Sequence, residues 1–149
     1  MPLLAALLAA TSLSSPAAAS ASDFGACSAA ATTAQELKRC GTFRADRQEC
    51  RSLRPVGEEA PAVCMEAKVV EWRAVLEQEE QSALSAGVRD AAGFDAWSQE
   101  LRALCRDEEE LRLSTERYGP AHAAFEAATC ELRSTIRRVV ETNGMRRGF

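Results

Sequence analysis

The chain has 149 residues, with 18 Lys and Arg against 22 Asp and Glu, a formal net charge of −4 and 5% aromatic residues. That length suits one domain of ordinary size, and the mild acidity argues against nucleic-acid binding, which needs a net basic face. Ala, Leu, Glu and Arg dominate while glycine and proline are sparse, a composition that favours helices.

The first element is an uncharged apolar stretch from Leu3 to Ala10, extended by Leu13 and followed by Pro16 and small residues. Ala17-Ala18-Ala19 and Ala19-Ser20-Ala21 both fit the small-x-small cleavage rule, so residues 1–21 read as a secretory signal peptide cut before Ser20 or Ser22. The stretch is too short to span a bilayer. No charge precedes Asp23, so cleavage leaves the net charge unchanged. Residues 22–149 are then a single periplasmic or secreted domain without a transmembrane segment.

Within that domain, residues 22–61 form a cysteine-containing segment of short pieces punctuated by Gly25, Gly41, Pro55, Gly57 and Pro61. Thr33 to Glu36 matches a capping box and Gly41 is a stop, which predicts one short helix; Phe43 to Leu53 predicts another. Residues 62–144 predict three longer helices. The first carries Met65, Val69, Trp72, Leu76 and Ala83 at helical spacing; the second Phe94, Trp97, Leu101, Leu104 and Leu111; the third Phe125, Thr129, Leu132, Ile136 and Val139. Gly87 to Gly93 and Tyr118-Gly119-Pro120 separate them, and Asn143-Gly144 is the expected end. Short connections make neighbours antiparallel. The fold class expected is therefore an all-α, disulfide-bonded antiparallel bundle of three longer helices with short N-terminal helical segments. Its core should hold Trp72, Trp97, Leu101, Leu104, Phe125, Leu132 and Ile136.

Six cysteines in an exported chain read as three disulfides rather than reactive thiols. In an antiparallel hairpin, residues equidistant from the turn face each other. The midpoint of Cys105 and Cys130 falls between Arg117 and Tyr118, at the expected turn, so these two should pair. The same reflection places Trp97 opposite Arg138 and Val139. Cys27, Cys40, Cys50 and Cys64 allow three pairings, of which Cys27–Cys40 with Cys50–Cys64 closes the shortest loops.

The residues give little support to catalysis. His122 is the one histidine, no cysteine lies near it in sequence, and there is no Gly-x-Ser-x-Gly elbow; a structural or solvated role is the simpler reading. No Cys-x-x-Cys pair occurs, which removes the usual zinc, thioredoxin-like and haem-attachment patterns, and no cofactor is expected. Carboxylates cluster at Glu77, Glu79 and Glu80 and from Asp107 to Glu110. They suit either a cationic partner or a solvated face with partners such as Arg106 and Arg112, the second being favoured. Arg44, Arg47, Arg51 and Arg54 line one helical face, where they meet an anionic lipid or glycan or, by preference, cover acidic helices of the same molecule. Tyr118-Gly119-Pro120 is a hairpin tip of the kind that carries binding residues.

Trp97, Cys105, Cys130, Thr135 and Arg138 together resemble the C-terminal signature of the LprI-type lysozyme-inhibitor domain of bacterial envelope proteins. That signature has the form Q-x-x-W-x-x-x-R-D-x-x-C, a glycine-containing loop, then C-x-x-x-x-T-x-x-R. Cys64 to Trp72 resembles the family's cysteine-to-tryptophan helix, and Cys27, Cys40 and Cys50 resemble the N-terminal extension of a many-cysteine subgroup. The pattern differs at Phe94, Leu101 and Arg102, where the family has Gln, Arg and Asp, and at Glu77 and Glu80, where it has Asn and Tyr. The resemblance implies a non-enzymatic inhibitor that blocks a lysozyme's cleft. Tyr118 and His122 would be contacts, Glu108, Glu109 and Glu110 steering charges, and Trp72, Trp97, Thr135 and Arg138 family positions. The alternative is a non-catalytic periplasmic scaffold or envelope-stress protein of the same fold that does not bind lysozyme.

Overall fold

The computed structural model describes residues 20–53, 59–113 and 119–149. A 3-10 turn at Ala21–Asp23 leads into α1 (Phe24–Ala30), α2 (Ala34–Cys40) and α3 (Arg44–Arg51); the long helices are α4 (Ala60–Ser85), α5 (Ala91–Leu113) and α6 (Pro120–Arg147). There is no strand among the described residues, and none of their helices is long and apolar enough to cross a membrane. Residues 1–19 of the expected leader lie outside the described residues.

Local chemistry sets most helix ends. The Thr33 side chain accepts from Glu36 N at 3.2 Å, as a capping box requires. The Glu36 carboxylate turns to Thr32 instead of Thr33, taking its N–H at 2.7 Å and its hydroxyl at 2.8 Å. Those bonds hold the exposed Glu36 carboxyl below the ordinary glutamate pKa, the Thr32 backbone bond having the largest effect. Pro61 and Pro120 stand in the first turns of α4 and α6, where a missing N–H is harmless. Gly87, at φ 71°, ends α4: Val88 N donates to Ala83 O and Gly87 N to Leu84 O, the Schellman pattern. Asp90 then starts α5 by accepting Gly93 N at 2.5 Å. The expected stop at Gly144 is corrected. α6 runs through it to Arg147 and ends on Gly148, at φ 78°, with Phe149 N bonded to Gly144 O. A glycine inside a helix weakens it by only about 1 kcal/mol. Gly144 is buried against Leu37, so packing outweighs that weakness.

α6 is the hub. It packs along α4, less extensively along α5, and carries α2 on another side, while α3 lies on α4. The stripes of α4 and α6 are buried as their spacing predicts: Met65, Val69, Trp72, Leu76 and Ala83 face Phe125, Thr129, Leu132, Ile136 and Val139. The core is not confined to the long helices. Phe24, Ala31 and Leu37 are buried in it, and Phe24 meets Trp72 edge-on with ring centroids 5.6 Å apart. Cys27–Cys40 ties α1 to α2, Cys50–Cys64 ties α3 to α4, and Cys105–Cys130 ties α5 to α6, with Cα separations of 5.7, 5.5 and 5.6 Å.

The stripe read for α5 is only half right. Leu101 is buried and Phe94 and Trp97 are half-buried, but Leu104 and Leu111 are 64% and 68% exposed. The face that meets α6 runs through Leu101 and Cys105 to the half-buried Glu108 and Arg112, a pair bonded at 3.0 Å. α5 has one substantial neighbour, so it hides a narrow strip, and leucines beside that strip stay in water.

Candidate functional site

α4, α5 and α6 meet at a buried charge. Arg138 on α6 donates from Nε to Glu80 Oε1 on α4 at 2.5 Å, and Thr142, one turn on, donates to the same oxygen at 2.9 Å. The guanidinium lies over the Trp97 ring of α5, 5.2 Å from its centroid. One side chain thus joins three helices. Glu80 is almost fully buried, so removing its partner would leave an uncompensated charge. Next to it, Glu79 accepts from Asn143 at 3.1 Å and Arg146 at 3.2 Å. Two carboxylates of the Glu77–Glu80 cluster are therefore spent inside the molecule, and Glu77 alone of the three is exposed.

Trp97 and Arg138 also line a groove between α5 and α6, with a cavity volume of about 390 Å³, whose rim includes Leu104, Glu100 and Arg137. Beyond it α5 continues as an acidic ridge. Leu104, Asp107 and Leu111 follow one another at helical spacing on one open side, and Glu110 and Leu113 are exposed on other faces of the helix. Acidic residues interleaved with exposed leucines can contact a surface that is both cationic and apolar.

The other residues singled out in the sequence fall into clear places. Tyr118 and Arg54 lie outside the described residues. His122 is half-buried in the first turn of α6, its backbone N donating to Gly119 O at 3.1 Å. Glu108 is held by Arg112, Glu109 lines a groove with Ala124 and Ala128 of α6, and Glu110 is exposed. Trp72 and Thr135 are buried inside the molecule. Arg47 bonds Glu126 at 3.0 Å, the intramolecular role favoured for that row, while Arg44 and Arg51 remain exposed. All six cysteines are in disulfides. Among the described residues no group of three His, Cys, Asp or Glu is placed to hold a metal ion.

Sequence reading missed a second buried polar site. Trp72 Nε1 donates to Asp46 Oδ2 at 3.0 Å, and Lys68 lies 3.7 Å from Asp46 and 3.3 Å from Glu49. Asp46 sits in a short helix among arginines, and nothing in its sequence neighbourhood marks it as buried. Burial pulls the Lys68 pKa down, but the bond to Glu49 and the charges of Asp46, Glu49 and Glu71 outweigh it and hold the ammonium above its ordinary value.

No protein-family model, curated protein or solved structure matches the chain.

Proposed function

We propose that this chain is an exported, non-catalytic binding protein whose α5 ridge and α5–α6 groove engage a cationic protein, and that the partner is a lysozyme. The lysozyme assignment rests on the resemblance of Trp97, Cys105, Cys130, Thr135 and Arg138 to the LprI-type signature. The observation that carries the binding role is the exposure of Leu104 and Leu111 on the helix face that also bears Asp107. Apolar side chains in a row on one open helix face are a feature of interaction surfaces. The net charge of −4 favours encounter with a basic enzyme, an attraction that falls with salt. The disulfide at Cys105 fixes the helix before binding, which lowers the ordering cost of association.

The test is lysis of bacterial cell walls at low ionic strength by several lysozymes, one of them bacterial, with the disulfide-bonded protein in excess. Inhibition should appear and be lost in the Leu104→Asp, Leu111→Asp double variant, which alters exposed positions only. Full-rate lysis by every enzyme, with no association by calorimetry, sinks the inhibitor reading and leaves the envelope scaffold. Inhibition unaffected by the double variant but lost in Tyr118→Ala or His122→Ala moves the contact surface to the α5–α6 turn.

A further inference from the structure

A second concave site lies where α2, the α4–α5 connector and the last turns of α6 converge, next along α6 from the α5–α6 groove and sharing Glu141 with it. Its cavity volume is about 410 Å³, within the range of roughly 300–1,000 Å³ typical of small-molecule sites. Leu37, Val140, Met145 and Phe149 supply apolar walls, and Gly144 has no side chain to fill the floor: a Cβ there would meet Leu37 at 3.4 Å and Phe149 at 3.9 Å. Met145 and Phe149 are each nearly half exposed, so the walls are open to a ligand.

Two cations, Lys38 and Arg89, stand at this pocket. Arg89 is the unusual one. Its Nη2 makes a long bond of 3.4 Å to Thr142, its Nε is buried without a partner, and no carboxylate among the described residues lies within ion-pair distance. Arg47 also carries an unpartnered buried Nε, but its Nη2 holds Glu126. A buried donor on an unneutralised guanidinium is costly. A carboxylate is the acceptor whose planar fork matches it. The adjoining groove shares Lys38 and Val140 and adds Arg133 and Arg137, neither of them ion-paired among the described residues. The exposed Glu141 is the one carboxylate lining either hollow. Within a net-acidic chain, this face is locally cationic.

We propose that the pocket binds a single-chain amphiphile with an anionic head, a fatty-acid carboxylate. The head is held by Arg89 and Lys38, and the chain lies along Leu37, Val140, Met145 and Phe149. This site is separate from the α5 ridge and does not depend on the lysozyme reading.

Calorimetric titration of the disulfide-bonded protein with monomeric sodium dodecanoate at low salt tests it. Dodecyltrimethylammonium, with the same tail and an opposite head, is the companion probe. Dodecanoate should bind saturably and the cationic detergent should not. Arg89→Gln should weaken dodecanoate by about tenfold or more, and Met145→Glu should weaken it as well. Arg89 lies in a connector and Met145 is exposed, so both variants should keep the parent circular dichroism; should Arg89→Gln fail to, the exposed Lys38→Gln takes its place. Absence of saturable binding, equal binding of the two detergents, or dodecanoate binding indifferent to these substitutions overturns the proposal. Binding to phosphatidylglycerol vesicles without binding of monomeric dodecanoate overturns it too, and makes the patch a membrane-contact face.

Discussion

Arg138 shows how one residue can serve packing and specificity together. Its Nε satisfies a buried carboxylate, its flat face covers Trp97, and its stem lies in the seam of α5 and α6. Replacing it with Met keeps much of the stem but strands Glu80, and should lower stability by about 3–5 kcal/mol in a urea melt. Glu80→Gln combined with Arg138→Met should recover a large part of that loss, because the double variant leaves no unpaired charge. A double-variant loss equal to the sum of the separate Glu80→Gln and Arg138→Met losses would show that the pair is not coupled. Trp72 gives a second case. It is completely buried, with Phe24 on its edge and Asp46 on its indole N–H, so Trp72→Ala should cost about 3–5 kcal/mol; the half-buried Trp97 should cost less. Lys68 supplies the pH dependence. A lysine whose folded pKa is raised adds stability that is complete below the unfolded value and fades as pH climbs through the folded one. An NMR titration of its ε-carbon should give a midpoint above the ordinary lysine value, brought down by Glu49→Gln.

Among elements, α5 and α2 are held in opposite ways. α5 meets α6 along a narrow strip of Trp97, Leu101, Cys105 and the half-buried Glu108 and Arg112, so the Cys105–Cys130 bridge carries much of its attachment. Closing a loop of that span stabilises by roughly 3–4 kcal/mol in the chain-entropy account. The Cys105→Ser, Cys130→Ser variant should therefore show faster amide exchange across residues 100–113 while α4 and α6 stay protected. Uniform loosening of all three helices would mean that α5 is integral to the core. α2, by contrast, is pressed close. A Cβ on Gly41 would stand 2.2 Å from Val140 Cγ2 and 3.0 Å from Ile136 Cγ2. β-branched side chains are stiff, so Gly41→Ala should lift α2 off α6 and cost about 1–3 kcal/mol, visible as a lowered urea midpoint. Glycine is needed at this helix end for that approach: its φ is −107°, not left-handed.

For the molecule as a whole, the folded unit begins earlier than the second cleavage site would allow. Ala21 is buried beside Phe24, and the turn it opens packs on α4. If the chain is exported and cleaved, its mature end should be Ser20, which keeps Ala21, and intact mass of the processed protein checks this. A product beginning at Ser22 would mean that the Ala21 contact is dispensable. Charge is also spread unevenly by the fold: carboxylates gather along α5, while Lys38, Arg89, Arg133 and Arg137 flank two adjoining hollows around α2 and the end of α6. A net charge averages over both regions and describes neither.

Helical class, the stripes of α4 and α6, and the Cys105–Cys130 pairing were legible in the sequence because each depends on local periodicity or on reflection about one turn. The capping box at Thr33 was legible for the same reason, being closed within four residues. The exposure of Leu104 and Leu111, the burial of Asp46 under Trp72, the passage of α6 through Gly144 and the unneutralised Arg89 were not. Each is decided by which distant helix arrives at the residue, 26 positions away for Asp46 and Trp72 and 53 for Arg89 and Thr142. An apolar stripe states that a face can be buried; only the packing of α5 against a single neighbour decides how much of that face is hidden, and so leaves Leu104 and Leu111 exposed.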